Sequence, residues 1–144
     1  MEDKALGLLG LMRRAGAVEI GEDNSALTVK AGKAKILLLS SDASDSAVRK
    51  AEGFCFGRSV QLVPVHYTRE EIGNALGVKS CAMAAVTDMG FSNALMKELT
   101  RQQPERYGEV YAGTQQRLEK TQRRRKETAA RGGLKRNVKR RTEV

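Results

Sequence analysis

The sequence predicts an α/β layered domain, with helices covering both faces of a small four-stranded sheet. Two short, continuous apolar runs, at 36–39 and 82–87, are typical of strands buried on both faces. Segments with helical spacing alternate with such strands, and Gly or capping residues punctuate the alternation. The links between segments are short, and no internal repeat is visible.

Taken in order, Leu6, Leu9 and Met12 recur at helical spacing behind Glu2 and Asp3, with Leu8 and Leu11 alongside, and Gly16 closes this first helix. A short strand over 17–20 runs into Gly21. A second helix over 22–31 places Ala26, Leu27 and Val29 on its inner side, with Gly32 just past its end. Ile36–Leu39 form the first fully buried strand. Ser44 caps a helix over 45–57, and 60–66 reads as the next strand. Thr68-Arg69-Glu70-Glu71 is a capping box that opens a helix ending at Gly77. The strand at 82–87 follows, then a helix over 91–103 with Pro104 just beyond.

Charge divides the 144 residues into a domain, 1–104, and an extension, 105–144. The chain carries 26 Lys+Arg against 17 Asp+Glu, a net charge of +9. Residues 117–144 hold 12 of those cations and three acids (Glu119, Glu127, Glu143), so the whole excess sits there and the rest is neutral. The stretch ERYGEVYAGTQQ has no clear period, and the basic segment is too poor in apolar residues to fold alone. The extension is therefore expected to be largely disordered, at most transiently helical over about 114–130, until it meets a polyanion.

Several function classes drop out. No apolar run approaches the roughly 20 residues that cross a bilayer. The start, with Glu2 and Asp3, lacks the basic n-region and long apolar core of a signal peptide. Cys55 and Cys81, without a spacing motif, point to free thiols and a cytoplasmic location. The single histidine, His66, lies in or at the end of a strand and has no obvious thiol partner. No cluster has metal-ligand spacing, and no Gly-rich phosphate loop is present; Gly32-Lys33 lacks the upstream glycine and the following hydroxyl. No catalytic residue, metal, cofactor or small-molecule substrate is expected.

The candidate site is the strand-to-helix turn Gly21-Glu22-Asp23-Asn24. A helix N-terminus presents unpaired N–H groups to anions, and short polar side chains there read base edges. The plainer reading is an ordinary N-cap whose acids complement the helix dipole. Asp42, within Ser40–Ser44, follows a central strand, where α/β folds expose functional groups; its plainer role is helix capping. Val78, Lys79 and Ser80 form a loop before a strand, with a cation and an apolar residue able to pack on nucleotides. Lys33 and Lys35 flank a strand within reach of backbone phosphate, and Arg123, Arg124, Arg125 and Lys126 are the densest basic run of the extension.

Five stretches in the right order resemble one family: 8–16 (LGLMRRAG within LLGLMRRAG), Gly21-Glu-Asp-Asn24 with its helix to Gly32, 34–44 (AKILLLSSDAS), 72–77 (IGNALG) and 85–91 (AVTDMGF). Over about residues 4–100 the chain resembles the kink-turn-binding ribosomal protein family of the archaeal L-seven-Ae type, in its small bacterial branch. The resemblance implies a three-layer α-β-α sandwich around a four-stranded mixed sheet, and binding of structured RNA. The family's Asn-Glu pair, which reads sheared G·A pairs, falls on Asp23-Asn24, so carboxylate and amide are in swapped order. Leu27 stands where the family often has Lys, Asp42 matches its acid after the second strand, and Val78–Cys81 its apolar loop over a flipped-out nucleotide.

The function expected is therefore non-enzymatic binding of structured RNA, kink-turn-like or ribosomal, by a monomer. The helix terminus and loops recognise, and the basic extension adds salt-dependent affinity. Two rivals stand beside it: a protein-interaction adaptor with a non-specific polyanion-binding tail, and a catalytic thiol at Cys81 with depressed pKa.

Overall fold

The computed structural model describes residues 3–113 together with Gln116 and Arg123. Within them the chain runs α1 (Lys4–Ala15), β1 (Val18–Ile20), α2 (Glu22–Lys30), β2 (Ile36–Leu39), α3 (Asp45–Cys55), β3 (Gln61–Pro64), α4 (Arg69–Leu76), β4 (Met83–Val86) and α5 (Met89–Gln102). A further helix, α6, covers 104–113. The sheet order is β1-β4-β2-β3. β4 is antiparallel to both neighbours, whereas β2 and β3 are parallel, so the sheet is mixed.

Side-chain alternation along the central strands creates two cores. Ile36 and Leu38, with Ala84 and Val86, face one layer, where they meet Leu9 and Met12 of α1, Ile72 and Leu76 of α4, and Leu95 and Leu99 of α5. Leu37 and Leu39, with Met83 and Ala85, face the other and pack against Val29 of α2 and Ala51 of α3. All four residues of β2 and of β4 are buried, which is why their sequences show continuous rather than alternating apolarity. The expected three-layer sandwich is the observed architecture.

Helix ends follow local chemistry. The Asp3 carboxylate caps α1 through the N–H groups of Ala5 and Leu6. Thr68 and Glu71 close the capping box of α4 in both directions. Asp88 caps α5, so that helix begins two residues before the expected Phe91.

Two expectations are corrected. The packed domain does not stop at 104: α6 begins with Pro104 in its first turn, where a missing N–H costs nothing, and buries Tyr107 to 1% exposure in the larger core. Val110 and Tyr111 pack against that core from the next turn. Leu27 is not on the inner side of α2; it is 66% exposed. The inward face of α2 is instead Ser25, Thr28 and Val29, and Thr28 is accommodated there because its hydroxyl donates to the Asn24 carbonyl at 2.7 Å. Phe56, which follows Cys55 at the end of α3, is 87% exposed.

Candidate functional site

Strand polarity gathers the expected residues. β1, β2 and β3 end, and β4 begins, at one edge of the sheet, because β4 runs against β1 and β2 while β3 runs with β2. Backbone bonds stitch the four connecting loops together there. Gly21 N–H donates to Met83 O at 2.9 Å, Ser40 N–H to Ala82 O at 2.9 Å, Ser41 N–H to Tyr67 O at 2.8 Å and Cys81 N–H to Arg69 O at 3.0 Å. Gly21–Asn24, Asp42 and Val78–Ser80, scattered over 60 positions of sequence, thus share one edge.

Gly21 is the N-cap of α2 at φ 97°, a left-handed conformation that a side chain would strain. Having no side chain, it offers no cap bond, and the first-turn N–H groups of Glu22, Asp23 and Asn24 meet no acceptor among the described residues; the ladder begins at Ser25 N–H to Gly21 O. The Asn24 amide donates back to Ile20 O at 2.9 Å and so ties the first turn to the end of β1. Glu22 pairs with Lys50 of α3 at 3.5 Å. Asp23 is exposed, and its carboxylate has no partner among the described residues. A free carboxylate accepts from amino and imino N–H groups of a base edge, while the bare first-turn N–H groups accept an anion's oxygen.

Asp42 is a positioning residue. Its Oδ1 accepts the Arg69 N–H at 2.9 Å and its Oδ2 lies 3.5 Å from Arg69 Nε, so it binds the start of α4 to the end of β2. The Arg69 N–H, ahead of the guanidinium charge, holds the carboxyl below the usual carboxylate range. Across the edge, Lys79 and Ser80 are exposed, whereas Val78 is half-buried against the larger core and not the open apolar contact expected. Gly73 of α4 lets this loop approach: a Cβ there would lie 2.7 Å from Ser80 Cα.

Lys33 and Lys35 are not brought to this edge. They precede β2, and Lys35 N–H bonds Val86 O at the end of β4, which places both at the opposite edge of the sheet. Arg123 is helical and exposed. Arg124, Arg125 and Lys126, and with them the expected disorder of the extension, lie outside the described residues.

The catalytic-thiol reading loses its physical basis. Cys81 is 4% exposed, its thiol donates to Met83 O at 3.1 Å, and burial pushes its pKa up, as it does that of Cys55. Sequence reasoning placed no role on His66, Tyr67, Gln102 and Tyr107, which form one polar network. Gln102 Nε2 donates to Asp3 Oδ1 at 3.1 Å, which turns its Oε1 toward His66 Nε2 at 3.2 Å. His66 Nε2 therefore carries the proton, and Nδ1 accepts from Tyr107 Oη at 2.6 Å. The Tyr67 hydroxyl donates to Asp3 Oδ2 at 2.7 Å, and burial with that carboxylate raises its pKa. The network ties α1, α5 and α6 to the loop behind the site edge. The i, i+3, i+4 spacing of Tyr107, Val110 and Tyr111 after Pro104 is the signal that marks α6 in the sequence.

With this geometry in place, comparison with known proteins is direct. The sequence model of the ribosomal protein L7Ae/L30e/S12e/Gadd45 family matches residues 3–96. The chain belongs to this family. A relative of this chain is the RNA-binding protein YlxQ of Bacillus subtilis (strain 168), 36% identical over 92 residues, which are 64% of this chain and 91% of that protein. A solved structure of a protein with unknown function from Bacillus halodurans C superposes with a TM-score of 0.63 at 32% identity, over 68% of this chain and 98% of that one. The Giardia lamblia 15.5kD RNA binding protein shares the fold, with a TM-score of 0.57 at 18% identity over 70% and 89% of the two chains. The family match ends at residue 96, so α6 and everything after it lie beyond it. Among the described residues no helix is long and apolar enough to cross a membrane, and no three His, Cys, Asp or Glu converge as a metal site would need.

Proposed function

We propose that this L7Ae/L30e/S12e/Gadd45-family protein binds structured RNA without catalysing a reaction, using the sheet edge built from Gly21–Asn24, Asp42 and Val78–Ser80. The observation that carries the reading is the pairing at the start of α2 of an unengaged Asp23 carboxylate with three unpaired backbone N–H groups. Such a turn reads a guanine edge with the carboxylate and a phosphate oxygen with the N–H groups. The relative named as an RNA-binding protein, 36% identical, supports the same reading.

Charge explains how the work is divided. Glu22, Asp23, Asp42, Glu70 and Glu71 make the recognition edge acidic, against Lys50, Lys79 and Arg69 as its cations, of which Lys50 is paired with Glu22 and Arg69 with Asp42, so it draws little affinity from the phosphate backbone. That affinity is assigned to the basic extension, whose residues 117–144, at +9, release counterions on binding and carry little sequence information. The RNA is a kink-turn or a comparable fold of ribosomal RNA, and the protein acts on it as a cytoplasmic monomer.

The test is a titration of the full chain and its Asn24→Ala and Asp23→Ala variants with a kink-turn RNA and a mutant lacking its G·A pairs, at two salt concentrations. The reading expects the unaltered protein to prefer the intact RNA and both variants to lose that preference. Their residual, strongly salt-dependent binding to both RNAs should be unchanged. Equal discrimination by all three proteins removes the assignment and leaves the adaptor reading.

A further inference from the structure

We propose that the opposite edge of the sheet carries a second RNA contact, for an unpaired strand, in which Phe56 stacks on a base while Lys33 and Arg58 hold the flanking phosphates. This rests on the reading of the chain as an RNA-binding protein, but it concerns a different face and a different form of RNA.

Phe56 is the most exposed large apolar side chain among the described residues, at 87%. It sits at the C-terminal cap of α3, where its N–H still bonds Glu52 O at 3.0 Å while its own backbone leaves the helix at φ −58°, ψ 127°. Gly57 then reverses the chain at φ 71°, and Arg58 N–H returns to Cys55 O at 3.1 Å. The ring is therefore held outward at a pinned turn rather than on a loose loop. Its neighbour Phe54, half-buried against the smaller core, shows that this segment has an inward place for a phenyl ring, which Phe56 does not take.

The surroundings are cationic. Lys30, Lys33 and Arg58 are all exposed, and none has an ion-pair partner among the described residues. α2 and α3 both start at the recognition edge and pack on the same cluster, so the turn that carries Lys30 and Lys33 and the turn that carries Phe56 and Arg58 lie at the same, opposite end of the sheet. Lys33 is fixed in place because its N–H bonds Thr28 O at 3.1 Å and Gly32 N–H bonds Val29 O at 3.0 Å, the double bond pattern that closes a helix. Against these cations stands Glu52, one turn back along α3.

The described part of α6 ends toward this edge. α6 leaves the recognition edge, where the Arg106 guanidinium bonds Pro64 O, and reaches the start of β3 at Gly113. There the Gln61 side chain lies against Gly113: a Cβ on Gly113 would lie 2.7 Å from Gln61 Nε2. Gln61 N–H in turn lies 3.5 Å from Lys35 O. The last described turn of α6 thus ends beside Gln61, which adjoins Lys35, and the 12 cations from Arg117 to Arg141 follow it in sequence. One exposed aromatic within a field of cations is the composition of a single-strand contact, because every base offers a face to stack and the cations track its backbone. A protein partner would be served by several adjoining apolar side chains, and here the exposed neighbours of Phe56 are Gly57, Arg58 and Ser59. The two edges are separated by about 13 Å of strand plus their loops, so one RNA with a folded element and an adjoining unpaired stretch reaches both.

The experiment uses the full-length protein and a fluorescein-labelled dodecauridine RNA, which has no fold to recognise. Phe56→Ala should weaken binding about fivefold or more, and Phe56→Leu by nearly as much, while Phe56→Tyr should retain it. Arg58→Ala and Lys33→Ala should each lower the slope of log affinity against log salt by about one. Asn24→Ala should leave this binding unchanged. Undetectable binding by the unaltered protein, or Phe56→Ala within about twofold of it, overturns the proposal. So does full retention by Phe56→Leu, which would mark Phe56 as an apolar contact for a protein instead. Dependence on Phe56 in a protein that fails to discriminate kink-turn RNAs would uphold this contact and refute the recognition edge; the converse result would do the reverse.

Discussion

The Tyr107 hydroxyl holds His66 at two points: it accepts the His66 backbone N–H at 2.8 Å and donates to His66 Nδ1 at 2.6 Å. One side chain from α6 thereby fixes both the backbone and the tautomer of a residue in the loop between β3 and α4. That loop accepts Ser41 N–H through Tyr67 O, and so lies directly behind Asp42. α6 is thus part of the scaffold of the proposed recognition edge, although it belongs to a stretch beyond the family match.

Tyr107→Phe should destabilise the protein by about 1–3 kcal/mol, because it leaves a part-buried N–H and a ring nitrogen unpaired while keeping the phenyl packing. Urea unfolding followed by far-UV circular dichroism checks it. A loss below about 0.5 kcal/mol would mean that α6 is held by apolar contact alone.

Stability should fall in acid through Asp3. Burial raises the pKa of its carboxyl, but hydrogen bonds from Tyr67, Gln102 and the N–H groups of Leu6 and Ala5 outweigh burial, so it is held below its ordinary value. A carboxyl whose folded value is depressed stabilises the fold above its unfolded value, about 3.9, and that contribution is lost as pH falls through the folded value. The urea midpoint should therefore drop below about pH 4, and Asp3→Asn, which keeps a capping side chain, should flatten that part of the profile. An unchanged acid limb in Asp3→Asn would assign the drop to other carboxylates.

Gly73→Ala should separate α4 from the 78–81 loop, since its Cβ would meet Ser80 Cα at 2.7 Å and Ser80 N at 2.9 Å, both backbone atoms that cannot swing aside. The expected cost is about 1–3 kcal/mol, together with weaker discrimination of kink-turn RNA and unaltered dodecauridine binding. Retained discrimination in a destabilised variant would show that the loop does not touch the RNA.

Cys81 should react slowly with iodoacetamide in the native protein, and more slowly than the half-buried Cys55, because burial raises its pKa and screens its sulfur. Mass spectrometry of peptides after timed alkylation measures both. Rapid native labelling of Cys81 would restore the catalytic-thiol reading.

Much of the fold is legible because neighbours in sequence decide it. Ser44, the capping box at Thr68 and the continuous apolarity of 36–39 each specify their element through local bonds or through burial on two faces, and each appears where its pattern puts it. Leu27 and Phe56 were not legible in this way. Apolar character predicts an inward place, yet α2 turns Thr28 inward because a local hydroxyl bond satisfies it, and the turn at Gly57 carries Phe56 out. The end of the domain was also missed, since a basic, weakly periodic segment hides the spacing of Tyr107, Val110 and Tyr111, whose burial depends on contacts with distant β3 and α5.

The sequence by itself determined the layered α/β class, the family, the turn at Gly21–Asn24 and the concentration of charge beyond Arg117, all of which rest on periodicity, caps and composition. Only the tertiary structure decided which of the candidate residues share a surface. Strand direction, set by pairing between residues far apart in the chain, sends Asn24, Asp42 and Ser80 to one edge and Lys33, Lys35 and Phe56 to the other. Spacing along a chain carries no record of strand direction, so Gly21 and Lys33, 12 apart, face opposite ends of the sheet while Gly21 and Met83, 62 apart, share a hydrogen bond.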